Sequence, residues 1–414
     1  MDVQETPALI PAQDEAQAHS TPAATGETNP TPRGRWYGVL LPWWQAAMAV
    51  MLNNYSYAVV PLSAVLRSWY HWDVINFEKI AIHDYSTADP TKAAFFPLYP
   101  WLERVVATLL HIHTDVFLSG MLISNLAFLG TLIVLYHFVE VEFDRNIAWR
   151  AAFYLAIFPT ALFFFAAYNE SLFLFFMLLS FYTMRHRSWW LAGLFGGLAT
   201  LTRSLGLALF VIFLYEFIRQ AFPLIRVAWR ERRHLQALKL LSGLPAALLI
   251  PLALGIYAFY LDERLHDPLA FSHAQLQWHL GPTAPWYAPV VAMKAMLHFS
   301  PFTFSTTHNV IDLTTLLLFV ILLALCFVGP ERFAVSQWCM PLFGILALSL
   351  LLIFPGTAYN PLPSMERYAL EIFPGFMMLA RLGRHSWFHQ GYYLLSLPLL
   401  AFLTLQFLTG HWTV

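Results

Sequence analysis

The chain has 414 residues, of which 58% are hydrophobic and only 11% charged, and its mean hydropathy is +0.57. A water-facing surface does not tolerate that composition, so we expect most of the chain to face lipid. The formal net charge of −1, with no basic strip interleaved with aromatic residues, gives no electrostatic basis for nucleic-acid binding.

The first 35 residues differ in character from the rest. They are polar, contain several Pro and Thr, and have no basic residue before Arg33. This composition predicts a disordered cytoplasmic tail over residues 1–35. A cleavable signal peptide would begin with a basic end and an apolar stretch, so the first membrane helix is expected to be retained.

Apolar runs of about 17–25 residues recur through residues 36–414, and each is long enough to cross a bilayer as a helix. They predict an all-α integral membrane protein of about ten or eleven transmembrane helices. These lie near 38–64, 116–139, 149–167, 171–184, 189–201, 205–218, 240–261, 310–329, 335–354, 366–380 and 391–409. The helices at 189–201 and 205–218 are short and flank Arg203, so one long broken helix is the alternative.

The basic residues indicate the orientation. With the N-terminus in the cytoplasm, 15 of the 23 Lys and Arg residues fall on the cytoplasmic side, as the positive-inside rule requires. Residues 66–115, 262–309 and 355–365 then face outward together. The cationic segment 219–239 faces inward, where we expect it to lie on anionic headgroups.

The first outer loop combines carboxylates, aromatic residues and prolines. Asp73 begins a stretch in which Val74, Phe77 and Ile80 share one helical face, which predicts an amphipathic interfacial helix. Asp73 is either a helix N-cap or a general base that takes a proton from an attacking hydroxyl. Glu78 and Lys92 of the same loop are candidate substrate-binding residues.

Two arginines lie within or at the end of predicted membrane helices. Arg203 and Arg367 are costly there unless each meets a carboxylate, a lipid phosphate or a water-filled cavity. A phosphate would suit the guanidinium fork, whereas an internal ion pair with Glu170 or Glu366 is the structural alternative. Glu170 follows Tyr168 and Asn169 at an outer helix junction, where it either binds a sugar or pairs with arginine.

Metal and cofactor chemistry has no signature in this sequence. It contains no P-loop, no GxGxxG and no DxD motif, and its histidines show no ligand-like spacing. Cys326 and Cys339 have no CxxC spacing and are expected to pack as small hydrophobic residues. We therefore predict no cofactor and assign no metal-ligating residues.

Several segments resemble one enzyme family. HWDVINFEKIA followed by AAFFPLYP, and then FPTALFFFAAYNESLF, ATLTRSLGLAL and SMERYALEIFPGFMMLA, are similar to the blocks of the PIG-V-like mannosyltransferases, relatives of GPI mannosyltransferase II among the GT-C membrane glycosyltransferases. The resemblance implies an inverting enzyme that uses a polyprenyl-phosphate sugar. Asp73 would then be the base, Arg203 and Arg367 would hold the donor phosphate, and Tyr168 and Glu170 would shape the site.

The leading hypothesis is therefore a glycosyltransferase that moves a sugar, expected to be mannose, to a hydroxyl on a lipid-linked or protein acceptor on the extracytoplasmic face. A polyprenyl-phosphate or glycolipid transporter without transferase chemistry is the second, and a scaffold that keeps the fold without activity is the third. We expect a multi-pass protein of a bacterial plasma membrane, in contact with membrane lipids and not with nucleic acid.

Overall fold

The computed structural model describes residues 62–112, 115–276, 281–298, 300, 303–357 and 360–411. The predicted tail over residues 1–35 lies outside the described residues, as does all but the end of the predicted helix at 38–64. The described residues form helices and turns and contain no β-strand, which confirms the all-α fold class.

Nine helices begin before the basic segment of residues 219–239 along the described chain. They are α1 (Leu62–Arg67), α2 (Asp73–His83), α3 (Leu98–Leu109), α4 (Phe117–Glu142), α5 (Arg145–Ala156), α6 (Leu162–Phe165), α7 (Glu170–Arg185), α8 (Trp189–Thr202) and α9 (Ala208–Gln220). Short 3-10 helices at Pro90–Ala94 and Ser204–Leu207 lead into α3 and α9.

Ten further helices complete the described part. They are α10 (Phe222–Arg230), α11 (His234–Leu241), α12 (Leu249–Leu265), α13 (Ala270–Gln275), α14 (Tyr287–His298), α15 (Phe304–Leu325), α16 (Cys339–Ile353), α17 (Met365–Tyr368), α18 (Phe373–Leu382) and α19 (Ser386–Leu408). Three more 3-10 helices lie at Leu244–Leu248, Val335–Gln337 and Ala369–Glu371.

Five helical stretches of the described chain are long and apolar enough to cross a membrane: Phe117–Glu142, Ser204–Arg230, His234–Leu265, Thr306–Leu325 and Ser386–Leu408. Helices α8, α16 and α18 are apolar but shorter. The protein is therefore a multi-pass integral membrane protein. The number of ten or eleven spans stays a prediction.

Prolines break two of the predicted helices. The predicted helix at 149–167 is interrupted between α5 and α6 around Pro159, and the one at 366–380 is interrupted at Ile372. A proline disfavours the helical conformation of the residue before it and lacks a backbone N–H. Pro159 accordingly lies in the turn between α5 and α6, and Pro374 lies in the first turn of α18. The two short helices flanking Arg203 are confirmed as separate, because Arg203 is extended (φ −152°, ψ 144°).

The core is built around α7, which packs against α4 and α8, while α8 packs against α12. Small residues allow α8 its close approach: a Cβ on Gly193 would lie 2.1 Å from the backbone oxygen of Ala246. Membrane helices use small residues in this way, since packing replaces the hydrophobic effect between helices in lipid. Both Cys326 and Cys339 are buried and free, as predicted.

The connections fall at two ends of the helices. At one, here the Arg185 end, Arg185 donates to the backbone oxygen of Ser336 (2.8 Å), and Gln337 donates to that of Glu142 (2.6 Å). At the other, here the Asp73 end, Arg367 bonds Asp73 of α2 and Glu170 at the start of α7, and Arg203, which follows α8, bonds the same glutamate. These residues of the predicted outer side thus lie together, and residues beside three predicted inner connections lie together at the Arg185 end.

Candidate active site

Asp73 opens α2 and faces an arginine. The apolar face predicted for this helix is confirmed, since Val74, Phe77 and Ile80 are buried. The Asp73 side chain is 23% exposed, and its Oδ2 accepts a hydrogen bond from Nη1 of Arg367 at 2.6 Å. No side chain caps the N-terminus of α2, so the carboxylate serves the ion pair and not the backbone.

Glu170 lies between two arginines at the N-terminus of α7. Its Oε1 accepts from Nε of Arg367 and, at 2.7 Å, from Nη1 of Arg203. The Glu170 side chain is fully buried, and the two guanidinium groups together with the positive end of the helix dipole compensate for its lost hydration. Of the two predicted pairing partners, Glu170 is therefore the one that the arginines use.

Arg203 reaches this carboxylate from the break between α8 and the following 3-10 helix. Its Nη1 also lies 2.8 Å from Oε1 of Glu371 and 3.3 Å from Oδ1 of Asn169. The Asn169 amide donates to the backbone oxygen of Thr202 at 3.0 Å, which ties the start of α7 to the end of α8. The interruption leaves the backbone of Arg203 extended, and its guanidinium group meets the start of α7.

Aromatic rings enclose the arginines. The guanidinium carbon of Arg367 lies 4.6 Å from the ring centre of Tyr168 and 5.3 Å from that of Phe163, and Arg203 lies 5.1 Å from the ring of Tyr368. Cation–π contacts of this kind stabilise a desolvated cation without using its N–H donors. The rings thus hold the two arginine side chains in place and leave N–H groups of the arginines available to other partners.

The charges of this cluster do not balance. It holds two guanidinium groups and the three carboxylates of Asp73, Glu170 and Glu371, of which only Asp73 is appreciably exposed. Toward described residues, Arg203 donates only from Nη1, and Arg367 only from Nε and Nη1. The arrangement therefore offers a reachable carboxylate beside N–H donors that the described residues of the cluster do not use.

Five of the predicted site residues come together here: Asp73, Tyr168, Glu170, Arg203 and Arg367. The other two contact different groups. Glu78 accepts from the Tyr70 hydroxyl (2.5 Å) and from the backbone N–H of Phe117 (3.3 Å) at the start of α4. Lys92 donates to Oδ1 of Asn76 at 2.6 Å and lies 3.3 Å from Asp89.

Sequence reasoning missed Glu371 and the role of Asn169. Glu371 lies inside an apolar run that was predicted to be a membrane helix, and a carboxylate there requires a partner. It also follows Arg367 by four residues, a spacing that brings side chains to one helical face. Those two signals were available, whereas the partner that Glu371 meets, Arg203, is distant in sequence.

Known proteins resemble this chain over different lengths. The model of a family described as Mannosyltransferase (PIG-V) matches residues 47–287, which is more than half of the 414 residues. GPI mannosyltransferase 2 of Drosophila pseudoobscura pseudoobscura is 35% identical over 114 residues, a match that spans 25% of this chain and 25% of that protein.

A solved structure, that of ArnT from Cupriavidus metallidurans bound to undecaprenyl phosphate, aligns with 78% of this chain and 58% of its own, at 13% identity and a TM-score of 0.46. The family match encloses Asp73, Tyr168, Glu170 and Arg203 of the candidate site. Since it covers more than half of the sequence, this chain belongs to the PIG-V mannosyltransferase family.

Proposed function

We propose that this protein is an inverting glycosyltransferase that moves a sugar, mannose as its family indicates, from a polyprenyl-phosphate donor to a hydroxyl of a lipid-linked or protein acceptor. The observation that carries the proposal is the pairing of a partly exposed carboxylate, Asp73, with the enclosed arginines Arg203 and Arg367. One group can accept a proton while the others bind an anion.

Asp73 acts as the general base. Its Oδ2 is held by Arg367, so Oδ1 is the atom that receives the acceptor hydroxyl. As the acceptor oxygen bonds to the anomeric carbon, its proton passes to Asp73, and the bond from that carbon to the phosphate oxygen breaks with inversion. A positioned base of this kind contributes about 10²- to 10⁴-fold to the rate.

Arg203 and Arg367 stabilise the departing lipid phosphate. The N–H groups that they do not use within the cluster donate to phosphate oxygens, on which negative charge increases as the sugar leaves. Glu170 and Tyr168 hold these guanidinium groups in place. No nucleotide enters this scheme, in agreement with a sequence that has no nucleotide-binding motif.

Lys92 remains a candidate for substrate contact. It bonds Asn76, which follows Asp73 by three residues in α2 and therefore shares its side of the helix. Glu78 is placed to act indirectly, since its carboxylate joins α2 to Tyr70 and to the start of α4.

We place the Asp73 end outside the cytoplasm. The opposite end gathers Arg185, Arg219 and the segment that continues to Lys239, and basic connections remain on the cytoplasmic side. This orientation puts the N-terminus in the cytoplasm, and compact loops favour a bacterial plasma membrane.

Transfer by purified protein tests the function. Protein in lipid is incubated with radiolabelled polyprenyl-phosphate mannose and a membrane extract as the source of acceptor, and wild type is compared with Asp73→Asn. We expect transfer to fall about 10²- to 10⁴-fold in the variant. Asp267→Asn, which alters a carboxylate of another predicted outer loop, is the matched control and should retain activity.

Equal transfer by wild type and Asp73→Asn would remove the proposed base. Movement of the labelled donor across vesicles by both proteins, without transfer, would instead support the transporter.

A further inference from the structure

A cavity of about 510 Å³ lies at the Arg185 end, where α4, α7 and α9 finish. Its wall includes three arginines, Arg185, Arg187 and Arg219, together with the apolar Val141 and Leu224. Helix α7 has Glu170 at one end and Arg185 at the other, and it rises about 22 Å between them. The cavity is thus separate from the candidate active site.

Two of the three arginines are engaged by carboxylates. Arg185 bonds Glu142 through Nε (2.5 Å) and Nη2 (2.9 Å) and bonds Glu216 through Nη1 (2.8 Å). Arg219 bonds Glu216 through Nε at 2.8 Å. These paired charges orient the wall of the cavity and contribute little attraction for a further anion.

Arg187 is different, because its hydrogen-bond partner is neutral. Its Nε donates to Oε1 of Gln220 at 3.2 Å, and no carboxylate of the described residues lies within 4.0 Å of it. Its backbone has φ 58°, so a turn at the end of α7 holds it at the cavity. With Glu142 and Glu216 as the only described carboxylates bonded to these arginines, the wall has one excess positive charge.

The rim beside this charge is apolar. Val141 is 64% exposed and Leu224 39%, and α10 also exposes Phe222, Val227 and Trp229 together with Arg226 and Arg230. Large apolar side chains next to cations are typical of surfaces that lie at the headgroup level of a bilayer. A free anion would use the arginine but not the apolar rim, whereas a lipid would use both.

We propose that the cavity binds an anionic phospholipid, with its headgroup phosphate at Arg187 and an acyl chain along Val141 and Leu224. The site is independent of sugar transfer, and it requires an amphiphile with a phosphate and a net negative charge. It anchors the Arg185 end of the bundle to anionic lipid.

Native mass spectrometry of the full chain tests the site. Protein in a neutral detergent is titrated with phosphatidylglycerol and, separately, with phosphatidylcholine of the same acyl chains. Wild type should prefer phosphatidylglycerol, and Arg187→Gln should lower that affinity about fivefold, the contribution of one basic residue near anionic lipid. Arg332→Gln, at another exposed arginine of the same predicted face, is the matched control and should bind as wild type.

Leu224→Gln separates a lipid from a free anion. It should weaken binding of phosphatidylglycerol while thermal unfolding remains that of wild type, and inorganic phosphate at millimolar concentration should not displace the lipid. Unchanged lipid preference in Arg187→Gln would overturn the proposal. So would displacement by inorganic phosphate together with no effect of Leu224→Gln, since the ligand would then be a soluble anion.

Discussion

The two ends of helix α7 use the same types of residue for different purposes. At the Arg185 end, Arg185 forms a bidentate ion pair with Glu142 and donates from its remaining nitrogen to Glu216. At the Asp73 end, Glu170 joins two arginines, but its Oε2 and both oxygens of Glu371 have no aligned hydrogen bond among the described residues. One network is saturated, and the other is incomplete.

We interpret the difference as that between an ion-pair network that stabilises the fold and one that serves the proposed reaction. A buried charge pair costs free energy unless its lone pairs and protons are all satisfied, and the Arg185 network meets that condition. The Asp73 network does not, and one of its carboxylates is open to a substrate. Unsatisfied groups that a fold keeps require an explanation, and for this cluster the proposed function supplies one.

Between the two networks, the largest expected effect comes from changing Arg203 of the incomplete network. Arg203→Lys keeps the charge but loses the fork, so kcat/KM for transfer should fall about 10³-fold, equivalent to about 4 kcal/mol. Arg185→Lys is the matched control: it should lower the thermal unfolding temperature while the activity of the folded protein is unchanged. Equal losses of activity in both variants would remove the distinction between the two networks.

The saturated network should respond mainly in stability. Glu142→Gln removes one partner of Arg185 and leaves a partly buried cation with a weaker bond, at a cost of about 3 kcal/mol in the free energy of unfolding. Denaturation of the variant in detergent measures this cost. Transfer activity normalised to folded protein should equal that of wild type, and a selective loss of activity would show that the Arg185 end contributes to the reaction.

Glu103 in α3 can be compared with both networks, because it is a buried carboxyl group that has no cationic partner among the described residues. Both of its oxygens lack a hydrogen-bond partner among the described residues, and a Cβ on Gly120 would lie 2.0 Å from its Oε1, so the acid packs directly on the backbone of α4. Burial, reinforced by the charge of Glu78, raises the pKa of Glu103 well above 4.5.

The raised pKa predicts how stability depends on pH. The folded state keeps a proton that the unfolded state loses above pH 4.5, so stability should fall as pH rises from there, by up to about 1.4 kcal/mol per pH unit, until Glu103 ionises in the folded state. Glu103→Gln should remove this slope, as measured by unfolding temperature across pH. The same slope in both proteins would contradict the protonated acid.

The smallest effect is expected for the aspartate that contacts the start of α17. Asp312 of α15 is buried, and its Oδ1 accepts the backbone N–H of Met365 (3.1 Å). Asp312→Asn keeps an oxygen acceptor at this position, so the free energy of unfolding, measured by denaturation in detergent, should change by less than about 1 kcal/mol. Asp312→Leu leaves that N–H without its acceptor and should cost more, about 1–3 kcal/mol; equal stability of the two variants would contradict a role for this bond.

Much of the fold was predictable from the sequence because lipid imposes a simple pattern. Apolar length located most helices, and basic residues grouped the connections that meet at the Arg185 end. The breaks at Pro159 and Pro374 were the main departures, although both prolines are visible in the sequence. A long apolar run outweighed the local effect of a proline in the prediction.

Most residues of the site could be predicted individually, but the contacts between them could not. The cost of charge in a membrane identified Arg203 and Arg367, and family resemblance selected Asp73. Which carboxylate meets which arginine depends on helix packing across about 300 residues of chain, and for that reason Glu371 was missed and Glu366 was offered as a partner. Glu78 and Lys92 show the converse case, since charged residues of the same loop also form structural contacts.

Synthesis imposes an order on the bridge at Glu170. Arg203 follows it by 33 residues and Arg367 by 197, so at roughly 5–20 residues per second the first partner emerges within about 2–7 s and the second only after about 10–40 s. During that interval Glu170 of the nascent chain can pair with Arg203 but not with Arg367. Asp73 also lacks its partner, which is Arg367. The candidate cluster can therefore be assembled only after Arg367, which bonds both Asp73 and Glu170, has been made.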